Sequence, residues 1–411
     1  MPKLAINGGT PVRTAPFPGW PPDDPMFLEG LREVIDSKVW GTGGTKVPEL
    51  CERFAAYHDA QFGVAVTSGT LALQVALQAC GIGASAEVIV PPYTFIATAT
   101  SVIAANAIPV FADIDRDTMC LDPKAIEAAI TPSTAAIIPV HIGGMPADMD
   151  AIKAVAAKHG LVVIEDCAQA HGAVYRGKKV GALGDMGAFS LQSSKNVTAG
   201  EGGLVLTNDR AKYGHAWSIA NVGRVPEGGW YDHRLMGWNL RLTEFQAALA
   251  LRGLELLPGH MERRDACATR LMKRFDEIEG IGYQAFSDGA ERSAWHLFIG
   301  TYDAEAFEGV PRDRFLAALS AEGVPCSGGY NPLYREGLFR DGWDPESCPW
   351  ACTYYKGTVD YNSVSCPNCE ELCEERGFWL FQSMLLGTEE DMDDIADAVV
   401  KVKENVGELR S

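Results

Sequence analysis

The chain has 411 residues, of which 47% are hydrophobic and 22% are charged, a composition that excludes a disordered or fibrous protein. Its formal net charge of −19 argues against a protein that binds nucleic acid or anionic lipid through its overall charge. No apolar run reaches the roughly 18 residues that span a bilayer. The apolar start at 4–6 breaks too early for a signal peptide, so we expect a cytoplasmic protein.

Short apolar runs alternate with helical patterns in the first half of the chain. They predict strands at 63–67, 87–90, 108–112, 135–140, 161–165, 187–190 and 203–207, and helices at 71–79, 95–105 and 151–159. Apolar strands separated by helices predict an α/β fold, with a mostly parallel sheet covered by helices. Ligands of such sheets bind at the carboxyl ends of the strands.

The pattern changes in the second half of the chain. It predicts a helical stretch at 243–279 interrupted at 258–259, a strand at 294–299, and helices at 312–322 and 392–405. At roughly 100–200 residues per domain, the length predicts more than one domain. We therefore expect a large domain at 1–255 and a smaller α+β domain at 256–411.

Five of the eleven cysteines crowd into one segment of the C-terminal half, namely Cys348, Cys352, Cys366, Cys369 and Cys373. The C-x-x-C spacing of Cys366 and Cys369 could suit zinc. No second C-x-x-C pair and no H-x-x-x-H motif follows at a usual interval. We expect free thiols at the start of a helix and no metal site.

Three polar segments lie where the predicted strands end. Ser68, Gly69 and Thr70 open a helix, where free amides and hydroxyls can bind an anion, although an ordinary helix cap is an alternative. Asp166 follows a buried strand, and its alternative is again a helix cap. Lys195 lies in a polar loop between two strands, where a solvated lysine is the alternative.

Together, these three segments have one chemical interpretation. An anion site for a phosphate, an acid for a heteroaromatic nitrogen and an amine for a Schiff base are what pyridoxal phosphate requires. The carboxylate of Asp166 keeps the ring nitrogen protonated. The amine of Lys195 first holds the cofactor and then moves a proton as a general acid and base.

The chain resembles the DegT/DnrJ/EryC1/StrS family of sugar and cyclitol aminotransferases, in the fold type I group of pyridoxal phosphate enzymes. The resemblance runs from about Leu4 to Val400. It rests on the order and spacing of the segments 67–73, 91–95, 139–141, 165–169, 189–195 and 237–241. It implies a large cofactor-binding domain and a pyridoxal phosphate-dependent aminotransferase, with pyridoxamine phosphate as an intermediate.

The resemblance also implies roles for individual residues. Lys195 forms the internal aldimine and Asp166 pairs with the pyridine nitrogen, so these two residues are catalytic. The other expected cofactor contacts are Gln169 near the phenolic oxygen, Tyr93 stacked on the ring, and Ser68, Gly69, Thr70 and Ser190 at the phosphate. Asn239 is expected to reach the phosphate of a neighbouring subunit, which implies a homodimer with shared active sites.

Two positions favour one branch of the family. Gln192 stands where nucleotide-sugar members commonly carry an aromatic residue, and Gly143-Gly144 follows the segment of His141. Both features resemble enzymes that aminate scyllo-inosose-type cyclitols, or aminohydroxybenzoate synthases. We expect transfer of an amino group from Gln or Glu to a cyclic keto-polyol, with Gln192 and His141 at the substrate. For Gln192, a hydrogen bond to its local backbone is the alternative.

Two other functions remain open. A nucleotide-sugar aminotransferase needs cations for a diphosphate, for which Arg224, Arg234 and Arg241 are the candidates. A cofactor-binding regulator without turnover is the second, and the intact Lys195 and Asp166 argue against it. The Cys- and Trp-rich stretch at 343–379 departs from the family pattern where the small domain approaches the acceptor.

Overall fold

The computed structural model describes residues 3–342, 344 and 346–410, so Trp343 lies outside the described residues. The strands of the described chain are β1 Phe62–Val66, β2 Glu87–Val90, β3 Ile108–Phe111, β4 Thr134–Ile137, β5 Val162–Asp166, β6 Val174–Tyr175, β7 Lys178–Lys179, β8 Met186–Ser190, β9 Gly203–Thr207, β10 Ile281–Tyr283, β11 Ala290–Arg292, β12 Leu297–Tyr302 and β13 Gly377–Phe381. The helices are α1 Met26–Ser37, α2 Lys46–Tyr57, α3 Gly69–Ala79, α4 Ala97–Ala104, α5 Pro123–Ala129, α6 Met149–His159, α7 Arg210–Ala220, α8 Glu244–Phe275, α9 Arg312–Ala321, α10 Gly337–Arg340, α11 Pro367–Glu371 and α12 Glu389–Glu404.

A seven-stranded sheet forms the centre of the molecule, in the order β1-β9-β8-β5-β4-β2-β3. Strand β9 runs antiparallel to both of its neighbours, and the other pairs in the sheet are parallel. Every residue of β2, β8 and β9 is buried, because helices such as α3 pack against the sheet. The predicted α/β class with a mostly parallel sheet is confirmed.

The sheet topology brings the carboxyl ends of β1, β5 and β8 to one edge. Strand β9 lies between β1 and β8 and runs the other way, so it starts at this edge. Its first residue, Gly203, pairs with both Val66 and Ser190. A Cβ on Gly203 would collide with the backbone of Ser68, so a side chain here would push the start of α3 away from the sheet. The edge is therefore closely packed where the predicted polar segments begin.

Helix α8 differs from its prediction. It runs unbroken over 32 residues with Pro258 inside it, whereas the sequence indicated an interruption at 258–259. Proline removes one backbone hydrogen bond and disfavours a helix interior. Here Leu254, Leu257 and Met261 are buried on either side of the proline, and α8 packs against α1, α2 and α12. This tertiary packing maintains the helix through the proline.

The predicted domain boundary at residue 256 falls inside α8. A second hydrophobic core consists of Leu4 and residues between Cys267 and Leu409, and it surrounds the antiparallel sheet β10-β12-β13. The side chains of Tyr334 and Tyr361, however, pack into the core of the large sheet. Because α8 contributes to both cores, the division into 1–255 and 256–411 stays a prediction.

The cysteine-rich segment lies against the large core. Cys366 precedes α11, Cys369 lies in it, and the Sγ atoms of Cys369 and Cys373 are 3.8 Å apart. All eleven cysteines are free thiols. No helix of the described chain has the length and apolar character required to cross a membrane.

Candidate active site

A cleft of about 970 Å³ opens at the edge of the sheet where β1, β5 and β8 end. Its wall combines residues from distant parts of the chain. They include Ser68, Gly69, Thr70, Asp166, Gln169, Ser190, Gln192 and Lys195 from the large sheet, and Tyr330, Trp379 and Gln382 from the C-terminal part. The cleft therefore brings together most of the residues that the sequence singled out.

The start of α3 forms one end of the cleft. Ser68 is the N-cap, and its Oγ accepts a hydrogen bond from the amide of Leu71 at 3.2 Å. The amides of Gly69 and Thr70 have no acceptor among the described residues. A Cβ on Gly69 would lie 2.7 Å from the Cβ of Ser190, so glycine allows the helix start to approach Ser190 closely. The cap and the open amides coexist, and the amides are available to an anion.

Asp166 is buried at the end of β5, with 5% of its surface exposed. Its two carboxylate oxygens accept hydrogen bonds from the hydroxyl of Thr98 at 2.8 Å and from the amide of Ala168 at 3.1 Å. Burial raises the pKa of the carboxyl, and these hydrogen bonds and the charge of Lys195 oppose the shift. A cation placed beside this carboxylate would favour its ionised form.

Lys195 lies in the loop after β8 and is half-buried. Burial lowers the pKa of its amine to about 8, against the opposing attraction of Asp166. A substantial fraction of the amine is therefore neutral near pH 8, and a neutral amine is the nucleophilic form. The structure places this nucleophile and Asp166 in the same cleft.

Gln169 is held from two sides. Its Oε1 accepts a hydrogen bond from the amide of Gly143 at 2.7 Å, and its Nε2 donates to the hydroxyl of Tyr330 at 3.1 Å. The carboxamide thus has a defined orientation, and Nε2 retains a second hydrogen for a ligand in the cleft.

Comparison with known proteins gives one consistent answer. Residues 22–400 match the model of the DegT/DnrJ/EryC1/StrS aminotransferase family. The chain belongs to this family. It is 40% identical over 426 residues to the L-glutamine:2-deoxy-scyllo-inosose aminotransferase of Streptoalloteichus tenebrarius, with 99% of each chain covered. The enzyme of the same description from Micromonospora echinospora is 40% identical over 429 residues, with 100% of each chain covered.

The fold agrees with this family. The crystal structure of 3-amino-5-hydroxybenzoic acid synthase superimposes with a TM-score of 0.84 at 34% identity, covering 95% of this chain and 100% of the other. The protein is thus a pyridoxal phosphate-dependent aminotransferase with a fold type I architecture. The cleft fits this cofactor, because it offers an unpaired amine, a buried carboxylate and open amides at a helix start in one cavity.

Tyr93 does not lie where the resemblance to this aminotransferase family predicted. Only 1% of its surface is exposed, and its hydroxyl accepts a hydrogen bond from the indole of Trp379 at 2.8 Å. In the same turn, the ring of Phe95 lines the cleft and is 58% exposed. The chain turns sharply between β2 and α4, and this turn directs Tyr93 into the core and Phe95 outward. Phe95 therefore replaces Tyr93 as the candidate ring-stacking residue.

The two predicted substrate residues differ in position. Gln192 lines the cleft, but its Oε1 accepts hydrogen bonds from the amide and hydroxyl of Ser194 and its Nε2 donates to Ser193. Gln192 is therefore bonded to its own loop, as in the alternative that the sequence analysis left open. His141 is fully buried, and its two ring nitrogens contact Glu165 and the amide of Ala147. Both ring nitrogens of His141 thus have partners within the protein, and the structure does not place this residue in the cleft wall.

Asn239 is exposed on the surface and is not part of the cleft wall of its own subunit. The arginines that a diphosphate would need are outside the wall as well. Arg224 lies over the ring of Trp230, Arg234 is paired with Asp232, and Arg241 is partly buried. The segment 221–241 thus holds all four side chains away from this subunit's cleft.

Sequence reasoning missed several residues of the site. Thr98, which donates a hydrogen bond to Asp166, is the second residue of α4, and a hydroxyl in a helix carries no functional signal by itself. Tyr330, Trp379 and Gln382 reach the cleft from the C-terminal part of the chain. No local pattern distinguishes them from core residues, because long-range contacts such as those of Trp379 with Tyr93 and of Tyr330 with Gln169 bring them to the cleft.

Proposed function

We propose that this aminotransferase moves the amino group of L-glutamine or L-glutamate to the ketone carbon of a cyclic keto-polyol, a cyclitol of the scyllo-inosose type. The observation that carries the proposal is the full-length similarity to two enzymes named for such a reaction. The cleft supports it, because Lys195 is the sole lysine or arginine among the described residues that one subunit contributes to the wall. A neutral polyol needs hydrogen bonds, whereas a nucleotide diphosphate needs cations.

The residues of the cleft divide the work of this reaction. When bound, pyridoxal phosphate supplies the carbonyl that takes up the amino group and the ring that accepts electrons. Asp166 would face the protonated ring nitrogen, and Phe95 would cover the ring. The amides of Gly69 and Thr70 and the hydroxyl of Ser190 would bind the phosphate.

Lys195 has a second task in each half-reaction. Its amine, with a pKa of about 8, can take a proton from the carbon of the donor and return one to the carbon of the product. A general base works best when its pKa lies near the pH at which the enzyme operates. The burial of Lys195 therefore suits its amine to proton transfer.

Turnover with defined acceptors tests this proposal. With L-glutamine as the donor, we expect the purified enzyme to aminate 2-deoxy-scyllo-inosose and related keto-cyclitols, and to leave nucleotide-linked keto-sugars unchanged. Keto-cyclitol analogues that lack hydroxyls should also be poor acceptors, because a site built to hydrogen-bond those hydroxyls discriminates strongly against them. Turnover limited to nucleotide-linked sugars would reject the cyclitol acceptor. Formation of an aromatic amino acid instead would favour a reaction like that of aminohydroxybenzoate synthase.

We also propose that two copies of the chain form a homodimer with shared active sites, in which Asn239 of one subunit reaches the phosphate site of the other. The segment around it exposes large apolar side chains, with Trp230 60%, Tyr231 86% and Met236 78% exposed. Exposed apolar surface of this kind marks interaction sites.

The eleven free thiols support a reducing compartment, and we propose a cytoplasmic enzyme.

Mixed dimers test the shared site. A Lys195→Ala dimer and an Asn239→Ala dimer should both be impaired, the second by about 10- to 100-fold in cofactor affinity through the lost hydrogen bond to a charged group. A dimer with one chain of each kind should regain about half of the wild-type activity, since one of its two sites has both wild-type residues.

A second pair of variants provides the control. Lys195→Ala and Asp166→Asn change the same subunit's cleft, so their mixed dimers contain no intact site and should show no recovery. The mixed dimers of both pairs could instead show no more activity than their parent dimers. That result, in verified mixed dimers, would contradict the proposal that Asn239 of one subunit contributes to the active site of the other.

A further inference from the structure

A buried arginine without an acidic partner lies behind the cleft. Arg264 on α8 has 0% of its surface exposed, and no carboxylate of the described residues forms an ion pair with it. Burial lowers the pKa of its guanidinium to about 9, against the opposing attraction of Asp265. A buried cation is costly unless it is paired. Arg264 therefore provides a positive electrostatic potential that no carboxylate of the described residues neutralises through an ion pair.

The contacts of Arg264 lead to the cleft wall. Its Nη2 donates to Oε1 of Gln382, and its Nε donates to the backbone oxygen of the same residue at 3.4 Å. Its Nη1 has no partner among the described residues. The guanidinium also lies 5.4 Å from the ring of Trp20. Gln382 and Trp20 both line the cleft, so Arg264 is one layer behind the wall.

Arg264 determines how the side chain of Gln382 is oriented. An arginine can only donate hydrogen bonds, so the atom of the carboxamide that faces it must be the oxygen. The Nε2 group is then the polar group that Gln382 offers elsewhere, and no described residue accepts a hydrogen bond from it. Hydrogen bonds in a chain polarise one another. The cleft wall thus has an N–H donor that a buried cation strengthens.

We propose that Gln382, oriented by Arg264, binds the α-carboxylate of the amino-acid donor. This inference rests on the proposed function, in which the donor is an anion at its carboxylate and the acceptor is uncharged. Lys195, the other cation that the same subunit brings to the cleft, is committed to the cofactor and to proton transfer. Gln382 contacts the substrate, and Arg264 is a positioning residue that acts through it.

Binding of two unreactive ligands to the holoenzyme tests the proposal. Glutaramate has the carboxylate of the donor but no amino group, and in glutaramide a neutral carboxamide replaces that carboxylate. Titration calorimetry should show that the wild-type enzyme binds glutaramate about 10- to 100-fold more tightly, as expected for a hydrogen bond to a charged group. Equal binding of the two ligands by the wild-type enzyme would overturn the proposal.

Two variants separate this role from general stability. Gln382→Glu places a carboxylate beside Arg264, which pairs the buried charge and repels an anionic ligand. It should fold and lose the preference for glutaramate. Arg264→Met should lose most of the preference as well. Arg270→Met, on the same helix but paired with Asp393 outside the cleft, should retain it. If Arg264→Met fails to fold, the Gln382→Glu result decides.

Single-turnover measurements distinguish failure of this inference from failure of the proposed acceptor. Gln382→Glu should slow the donor half-reaction with L-glutamine by about 10- to 100-fold at low donor concentration and leave the half-reaction with a keto-cyclitol nearly unchanged. Equal slowing of both halves, or a preference for glutaramate that survives in Gln382→Glu, would overturn the role of Gln382. If the wild-type enzyme does not use keto-cyclitols, the proposed acceptor is wrong. The binding experiment with glutaramate and glutaramide would then still test the carboxylate site.

Discussion

Replacing Lys195 with alanine should reduce transamination by about 10⁴-fold or more, because one substitution removes both the nucleophilic amine and the group that moves the proton. Steady-state turnover with L-glutamine measures the loss. Lys153→Ala, at an exposed lysine on α6 outside the cleft, is the matched control and should keep the wild-type rate.

The covalent link to Lys195 has its own measurement. Wild-type holoenzyme treated with borohydride should carry the cofactor mass on the peptide that contains Lys195, and the Lys195→Ala variant should carry none. An adduct on a different lysine of the wild-type enzyme would show that the nucleophile has been assigned to the wrong residue.

Asp166→Asn should lower transamination by about 10²- to 10⁴-fold while part of the cofactor affinity remains. The substitution keeps the shape of the side chain and its contact with Thr98, but it removes the negative charge that favours a protonated ring nitrogen. Rates of the separate half-reactions measure the effect, and both halves should decline because the ring accepts electrons in each.

A variant of the neighbouring residue distinguishes charge from position. Thr98→Val keeps the carboxylate and removes one of its hydrogen bonds, donated at 2.8 Å, so it should lose far less activity than Asp166→Asn. Near-normal turnover of Asp166→Asn would reject the pairing of this carboxylate with the cofactor.

The candidate site divides into residues that local sequence could identify and residues that it could not. Asp166 and the helix start at Gly69 were predictable, because each directly follows a buried strand whose direction places it at the ligand edge of a parallel sheet. Lys195 was predictable for the same reason, since its loop joins two sheet strands. Tyr93 and Phe95 are two positions apart in one turn. Which of the two rings faces the cleft depends on the directions of their side chains, and the composition of the turn does not determine these directions.

The sequence by itself determined the α/β class, the seven strands of the central sheet, and the carboxylate and amine of the cleft, because these features follow from local hydrophobic periodicity and from polar residues at strand ends. Only the tertiary structure decided that α8 continues through Pro258 and that Gln382 reaches the cleft with Arg264 behind it. These features depend on contacts between segments far apart in the chain, whose packing energies outweigh local propensity and leave no local pattern.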